Sequence, residues 1–408
     1  MTRRRPRPKR PIGASRSEPA SAAGRAPAVP RHLAQCAHGL EAVLAGELER
    51  LGATEVEAVS GGCLFAADHP LACRATLWLR SAARVLEPVV AGTVRDADQL
   101  YQLARSARWE ELVGRDRTFS VRAVLSRAPL SDRRFAALRV KDAVADRVRM
   151  RRGGRPDVER HDPDVPLRLI VRGREATIFR DLAGDSLHRR GYRPVQVKSP
   201  LSEAVAAGLL LLGGWAPESA LLDPMCGSGT FVLEAASLAA DRAPGLGRSF
   251  AAERFPDADA SLWADLRAEA RDRLRSSGTP PLLGTDRHPG AVAIAKETAK
   301  ASGLKNLVRF RIADAATFEP PFPPAVVATN PPWGGRLETG DELAVSWRAL
   351  GTFLRRCPGA VALVLSGAPE LTRQLGLKAS RRWPIKIAGF DARWLRYEMR
   401  RSAATDGD

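Results

Sequence analysis

The sequence predicts an α/β protein: a doubly wound, mostly parallel sheet in the C-terminal half, preceded by an α+β region. Three observations carry this reading. Beyond residue 184, short apolar runs of strand length alternate with segments of helical periodicity. A glycine-rich turn, Gly227-Ser228-Gly229, joins one such strand to the helix after it. Acids end three of the strands, at Asp223, Asp286 and Asp314, as expected where ligands gather along the carboxyl edge of a parallel sheet.

Length and charge narrow the class further. A chain of 408 residues suits two or three domains, each with its own core. Its 64 Lys plus Arg against 46 Asp plus Glu leave a net charge of +18, which favours polyanionic partners and makes nucleic acid the foremost candidate. Residues 1–30 hold seven arginines and one lysine against Glu18 and almost no large apolar side chains, so a disordered basic tail is expected there. That tail is either a solvating extension or an arm that grips RNA. The remainder keeps a charge of +11. No apolar run reaches the roughly 18 residues of a membrane span, and no apolar secretion core stands at the N-terminus, so a cytoplasmic protein is expected. Cys36, Cys63, Cys73, Cys226 and Cys357 lie far apart without C-x-x-C spacing, which argues against disulfides and a metal site.

Taken in order, the spacing of Leu40, Val43, Leu44, Leu48 and Leu51 predicts a helix over Gly39 to Leu51, followed by two short strands around Gly61-Gly62. A helix within Ala72 to Arg84 and a strand over Val85 to Val94 come next. Phe119 to Leu125 reads as a strand and Phe135 to Arg149 as an amphipathic helix. Leu167 to Arg172 and Ala176 to Arg180 read as a hairpin turning at Gly173. The second half then gives strands at Ala220 to Asp223, Leu282 to Asp286, Val308 to Ala313 and Ala325 to Asn330. Helices are expected at Thr230 to Ala240 and Ala291 to Ser302.

The turn Asp223-Pro224-Met225-Cys226-Gly227-Ser228-Gly229-Thr230 is built for close approach of a ligand. Gly227 and Gly229 carry no side chain, and the amides opening the following helix face any negative group placed there. A dinucleotide site is the competing reading, but Val232 stands where its third glycine belongs, and Asp223 would oppose a pyrophosphate. Asp286 is placed to accept from ribose hydroxyls, and Asp314 either from an adenine amine or as a helix cap. Cys226 has no neighbouring base and reads as a small filler.

The strand ending at Thr329 delivers Asn330-Pro331-Pro332-Trp333 to the same edge. An exocyclic base amine is a poor nucleophile because its lone pair is delocalised into the ring. The Asn330 side-chain oxygen and the Pro331 carbonyl are two acceptors able to hold its hydrogens, and Trp333 offers a face for an extracted base. Such a site works by positioning and local dipoles rather than by a strong base.

The stretches Asp223 to Ala236 (DPMCGSGTFVLEAA), Asp241 to Leu246 (DRAPGL), Asn330 to Leu337 (NPPWGGRL), Asp185 to Arg193 (DSLHRRGYR) and Ser199-Pro200-Leu201 resemble the bacterial THUMP-domain RNA guanine-N2 methyltransferases, above all those acting on 23S ribosomal RNA. The resemblance spans about Arg31 to Met399. It implies a ferredoxin-like plus THUMP region over 31–184 that holds structured RNA, and a Rossmann-like class I methyltransferase domain over 185–400 using S-adenosylmethionine. Residues 401–408 are left as a disordered end. It also implies a helical insertion between Gly229 and Asp286. By the same resemblance Asp223, Pro224, Cys226, Gly227, Gly229, Thr230, Asp286 and Asp314 hold the cofactor, while Asn330, Pro331, Pro332 and Trp333 form the catalytic turn. Trp333 departs from the Tyr or Phe usual there in the ribosomal enzymes. A second, fused methyltransferase of the kind some members carry is not expected from these 408 residues, whose length is closer to that of members that modify tRNA. A tRNA guanine-N2 methyltransferase, an adenine amine methyltransferase and a non-catalytic assembly factor are the alternative functions. Arg189, Arg190 and Tyr192 either contact phosphates or form a solvated basic linker. The oligomeric state is not legible.

Overall fold

The computed structural model describes residues 31–193, 201–334 and 341–400. The tails expected at 1–30 and 401–408 lie outside the described residues, as do Ser199, Pro200 and the 335–337 end of the last resembling stretch.

Residues 31–181 fold as β1 (His32–Gln35), α1 (Glu41–Arg50), β2 (Thr54–Val59), β3 (Gly62–Ala66), α2 (His69–Trp78), β4 (Arg84–Thr93), α3 (Ala97–Ser106), α4 (Trp109–Leu112), β5 (Phe119–Ser126), α5 (Arg133–Arg152), β6 (Val165–Arg172) and β7 (Glu175–Asp181). Local chemistry marks the ends. Asp68, Asp96 and Asp132 accept backbone N–H bonds at the starts of α2, α3 and α5, and Gly153 closes α5 at φ +71°. All seven strands join one sheet in the order β2-β3-β1-β4-β7-β6-β5. β4 makes this possible, because its first residues pair with β1 and nearly its whole length pairs with β7. Pro88, which has no N–H to give, sits at the register shift on that strand.

The second half adds α6 (Glu203–Leu212), β8 (Leu221–Asp223), α7 (Thr230–Ala239), α8 (Ala260–Asp272), β9 (Leu282–Asp286), α9 (Pro289–Ala301), β10 (Arg309–Ile312), β11 (Val326–Thr329), α10 (Asp341–Arg355), β12 (Val361–Ser366), α11 (Pro369–Thr372), β13 (Arg381–Ile387) and β14 (Phe390–Glu398). The sheet order is β10-β9-β8-β11-β12-β14-β13, parallel through β12 and antiparallel in the final hairpin. This is the doubly wound, mostly parallel sheet expected from the sequence. The order reverses beside β8, so the switch point where ligands bind falls between the ends of β8 and β11.

The apolar cores do not follow the chain in two clean blocks. The core under the first sheet draws Ala243, Phe250, Ala251, Phe255, Trp263, Leu266 and Ala270 from the segment between α7 and β9. Phe250 stacks on Trp263 with ring centroids 5.2 Å apart. Conversely Leu40, from the first sheet's side of the chain, belongs to the core around α6 and α7. The inserted segment expected between Gly229 and Asp286 is therefore a structural part of the first core. Arg248 reinforces the joint by donating to the carbonyls of Ala183, Asp185, Ser186 and Arg189.

Candidate active site

The three acids stand at successive strand ends of the second sheet. Asp223 closes β8 and is paired in register with Gly284; Asp286 closes β9 opposite Ile312; Asp314 follows β10 by two residues. Asp286 grips the glycine turn, accepting from the Gly227 amide at 2.9 Å and from the His288 amide at 2.9 Å. Asp223 is buried and accepts from the Met225 amide at 3.1 Å. Burial pushes its carboxyl up to about 7, and the nearby Asp286 charge adds to this. The Met225 amide and the Thr329 hydroxyl pull the other way, although that hydroxyl makes no hydrogen bond of normal geometry among the described residues.

The turn itself shows why glycine stands at 227 and 229. Gly229 opens α7 at φ +81°, and a Cβ there would fall 2.7 Å from the Phe310 ring. Gly227 lies at φ +52° with open space where its Cβ would project, so nothing in the protein packs against the turn at that point. Pro224 is buried under the turn. The Thr230 hydroxyl accepts from Arg193, which also pairs with Glu203 at 2.7 Å. Arg193 was not singled out from the sequence, where it reads as one more basic residue in a basic stretch. Cys226 is buried against this turn, and burial pushes its thiol far up, as fits a filler and not a nucleophile. Asp314 is exposed, and its carboxylate accepts from the Ala316 amide at 2.8 Å. It caps a turn, with no helix following it.

Asn330 to Trp333 leave the end of β11 on the same edge, beside the switch point. Trp333 folds back so that its indole N–H donates to Asn330 Oδ1 at 2.8 Å, and its ring covers Gly367, where a Cβ would lie 1.8 Å from the ring. The Pro332 carbonyl accepts from the Trp347 indole at 2.7 Å, while the Pro331 carbonyl has no partner among the described residues. Gly367 and Trp347 lay beyond sequence reasoning. One is a glycine after a strand and the other a buried aromatic on a helix face, and nothing local ties either to residue 333.

The linker residues resolve differently from expectation. Arg189 is exposed and near Asp185, but Arg190 and Tyr192 are buried. Tyr192 donates to Glu234 at 2.8 Å, and Arg190 to the Arg80 carbonyl at 2.6 Å. They are neither phosphate contacts nor a solvated linker. Burying a cation at this joint requires partners, and Glu234 with two carbonyls supplies them. Among the described residues no group of three His, Cys, Asp or Glu is placed to hold a metal, and no helix is long and apolar enough to cross a membrane.

Comparison with known proteins agrees with this arrangement. Three family models match along the chain: an RlmL ferredoxin-like domain at residues 31–86, a THUMP domain at 94–181 and an RMKL-like methyltransferase domain at 190–396. The ribosomal RNA large subunit methyltransferase K/L of Syntrophotalea carbinolica is 40% identical over 375 residues, covering 88% of this chain and 52% of that protein. The chain thus spans about half the length of these K/L relatives. A protein of Synechocystis sp. named "Putative RNA methyltransferase" is 35% identical over 90% of this chain and 96% of its own length. Among solved structures, a "putative methyltransferase complexed with SAH" superposes with a TM-score of 0.82 at 25% identity, covering 91% of this chain and 98% of the other. A "predicted N6-adenine-specific DNA methylase" from Listeria monocytogenes does so with a TM-score of 0.81 at 32% identity, covering 90% and 96%. With its strand order, its glycine turn gripped by an acid from the neighbouring strand and its Asn-Pro-Pro-Trp edge, the chain belongs to the RMKL-like methyltransferase family, carrying RlmL ferredoxin-like and THUMP domains ahead of the methyltransferase domain.

Proposed function

We propose that the chain methylates the exocyclic N2 amine of a guanine in structured RNA, with large-subunit ribosomal RNA as substrate and S-adenosylmethionine as methyl donor. The observation that carries this is the meeting of Asn330 to Trp333 with the Asp223 to Thr230 turn at one switch point. The names of the K/L relatives support the substrate class.

The turn fits the donor. Gly227 leaves open space, the amides opening α7 face it, and the carboxylates of Asp223 and Asp286 border it. Pro224, Cys226, Gly229 and Thr230 shape the turn, Asp286 supplies acceptors for ribose hydroxyls, and exposed Asp314 is free to meet an adenine amine. When bound there, S-adenosylmethionine supplies an activated methyl group. Asn330 Oδ1 and the Pro331 carbonyl then hold the two hydrogens of the target amine and orient its lone pair. A carbonyl oxygen has two acceptor sites, so Asn330 keeps one for the amine while the Trp333 indole occupies the other. That indole also decides which end of the amide points inward. Pro332 fixes the turn, and the Trp333 ring forms a wall for the extracted base. Residues 31–184 carry the RNA-holding region and 185–400 the transfer site.

The test is nucleoside mass spectrometry of ribosomal and transfer RNA from a deletion strain, complemented with wild type or Asn330→Ala. Loss of N2-methylguanine from large-subunit RNA, restored only by wild type, is expected. Loss from tRNA alone, or of N6-methyladenine, would replace the substrate; no loss in either RNA would remove the activity.

A further inference from the structure

We infer that the β13–β14 hairpin and the basic cleft beneath it form a second RNA-binding element, which holds backbone phosphates beside the target nucleotide and stacks a base on Phe390. This rests on the RNA reading above and concerns a surface outside the turn and the catalytic edge.

The cleft has a volume of about 890 Å³ and is bounded by the loop at His38, the start of α11 and the two strands. Arg373, Arg382, Lys386 and Arg393 line it, all four exposed and without an ion pair among the described residues. Among the described residues Asp391 is the sole carboxylate on its walls. Four cations with one acid between them repel one another unless an anion is present, and a spread of several positions along a cleft suits successive phosphates better than a small molecule. Tyr397 lines the same cleft, buried, and its hydroxyl has no hydrogen-bond partner among the described residues.

Position ties the cleft to the transfer site. Arg393 pairs in register with Ser366, and Gly367, which follows, lies directly under the Trp333 ring. The cleft therefore continues from the wall of the base pocket along the carboxyl edge of the sheet. Past that edge the hairpin turns through Ala388 and Gly389, both at positive φ, and presents Phe390 at 69% exposure. A phenylalanine held out on a tight turn between Lys386 and Arg393 adds nothing to the core. It is placed as a stacking platform flanked by phosphate-binding cations. The element is braced against the first half of the chain, since the Lys386 amide donates to the His38 carbonyl at 3.0 Å and Gly39 presses on Pro384.

The experiment compares the full-length wild type with Arg382→Gln/Lys386→Gln/Arg393→Gln and with Phe390→Ala, using unmodified large-subunit ribosomal RNA transcript. Methyl transfer and filter binding are measured across a salt series. The triple variant should raise the RNA KM about tenfold or more and lower the slope of log affinity against log salt by about two to three, one phosphate per lost cation. Phe390→Ala should raise KM about fivefold or more without changing the slope, and Phe390→Trp should restore it. Unfolding temperature, S-adenosylmethionine affinity and kcat should stay near wild type, because these side chains are exposed and none belongs to the glycine turn. If wild type binds and methylates the RNA while the variants keep its KM and salt slope, the inference is overturned alone. If wild type neither binds nor methylates any RNA, the reading beneath it falls, and the inference with it.

Discussion

The carboxyl of Asp223 ends a buried strand, and burial raises its pKa from the usual carboxylate range to about 7. Between the unfolded value near 4 and this folded value, the native protein holds a proton that the unfolded chain has released. Stability from this group is therefore fully present below about pH 4, falls as pH rises through 7, and is flat above. Asp223→Asn keeps an acceptor for the Met225 amide and cannot ionise. Its unfolding temperature relative to wild type should climb between pH 5 and 8, and a constant difference across that range would reject the assignment. At the proposed catalytic edge, Asn330→Ala removes an oriented acceptor, so single-turnover methyl transfer should slow roughly a hundredfold with unchanged cofactor affinity. Trp333→Phe keeps an aromatic face but loses the N–H that fixes the Asn330 amide, together with the outer part of the indole that lies over Gly367. One lost hydrogen bond of about 1 kcal/mol predicts a fall in kcat of roughly five- to tenfold with RNA KM little changed. A rise in KM with kcat intact would instead make Trp333 a stacking wall alone.

At the scale of elements, α8 behaves as part of the first core although its sequence lies inside the methyltransferase half. Trp263 is buried between Phe250 and the Arg267 guanidinium, and Arg74 on α2 reaches across to Glu269 at 2.7 Å. Trp263→Ala should cost about 3 to 5 kcal/mol, the scale for emptying a large aromatic site. The loss should be felt first around α2 and β4. Hydrogen exchange read in those two elements tests this: increased exchange confined to the second sheet would show that the insertion belongs to the second core only.

For the whole molecule, this exchange of core residues sets what can be separated. A fragment of residues 31–184 lacks Phe250, Phe255, Trp263 and Leu266, and would expose the apolar surface they cover. It should bind hydrophobic dyes and be cut by protease far faster than the intact chain, and adding residues 241–275 in trans or by fusion should reverse this. A fragment as protease-resistant as the whole would show two independent cores. RNA affinity is therefore better measured on the full chain, where the net charge of +18 predicts a steep loss with salt.

The sequence by itself determined the parallel strands β8 to β11 and the candidate site residues at their ends, because both are written in short-range chemistry. β8, β9 and β11 are apolar runs ended by Asp223, Asp286 and Asn330, and the glycines at 227 and 229 are needed where the backbone turns at positive φ. Period and end residue suffice for such elements. The hairpin at Gly173 and the pair of strands around Gly61-Gly62 were legible for the same reason. The elements after residue 330 were not read, and neither was α6 nor α3; α6 is buried along most of its length, so its apolar residues show no stripe. Only the tertiary structure decided that one seven-stranded sheet spans the first region, that α8 fills its core, that Arg190 and Tyr192 are buried with Glu234, and that Trp333 closes on Asn330 and Gly367. Each of these joins residues dozens to hundreds of positions apart, or turns a side chain toward one of several available partners. Local periodicity carries no information about which distant surface will bury a given face, and that choice is made by packing and by the need to pair every buried polar group.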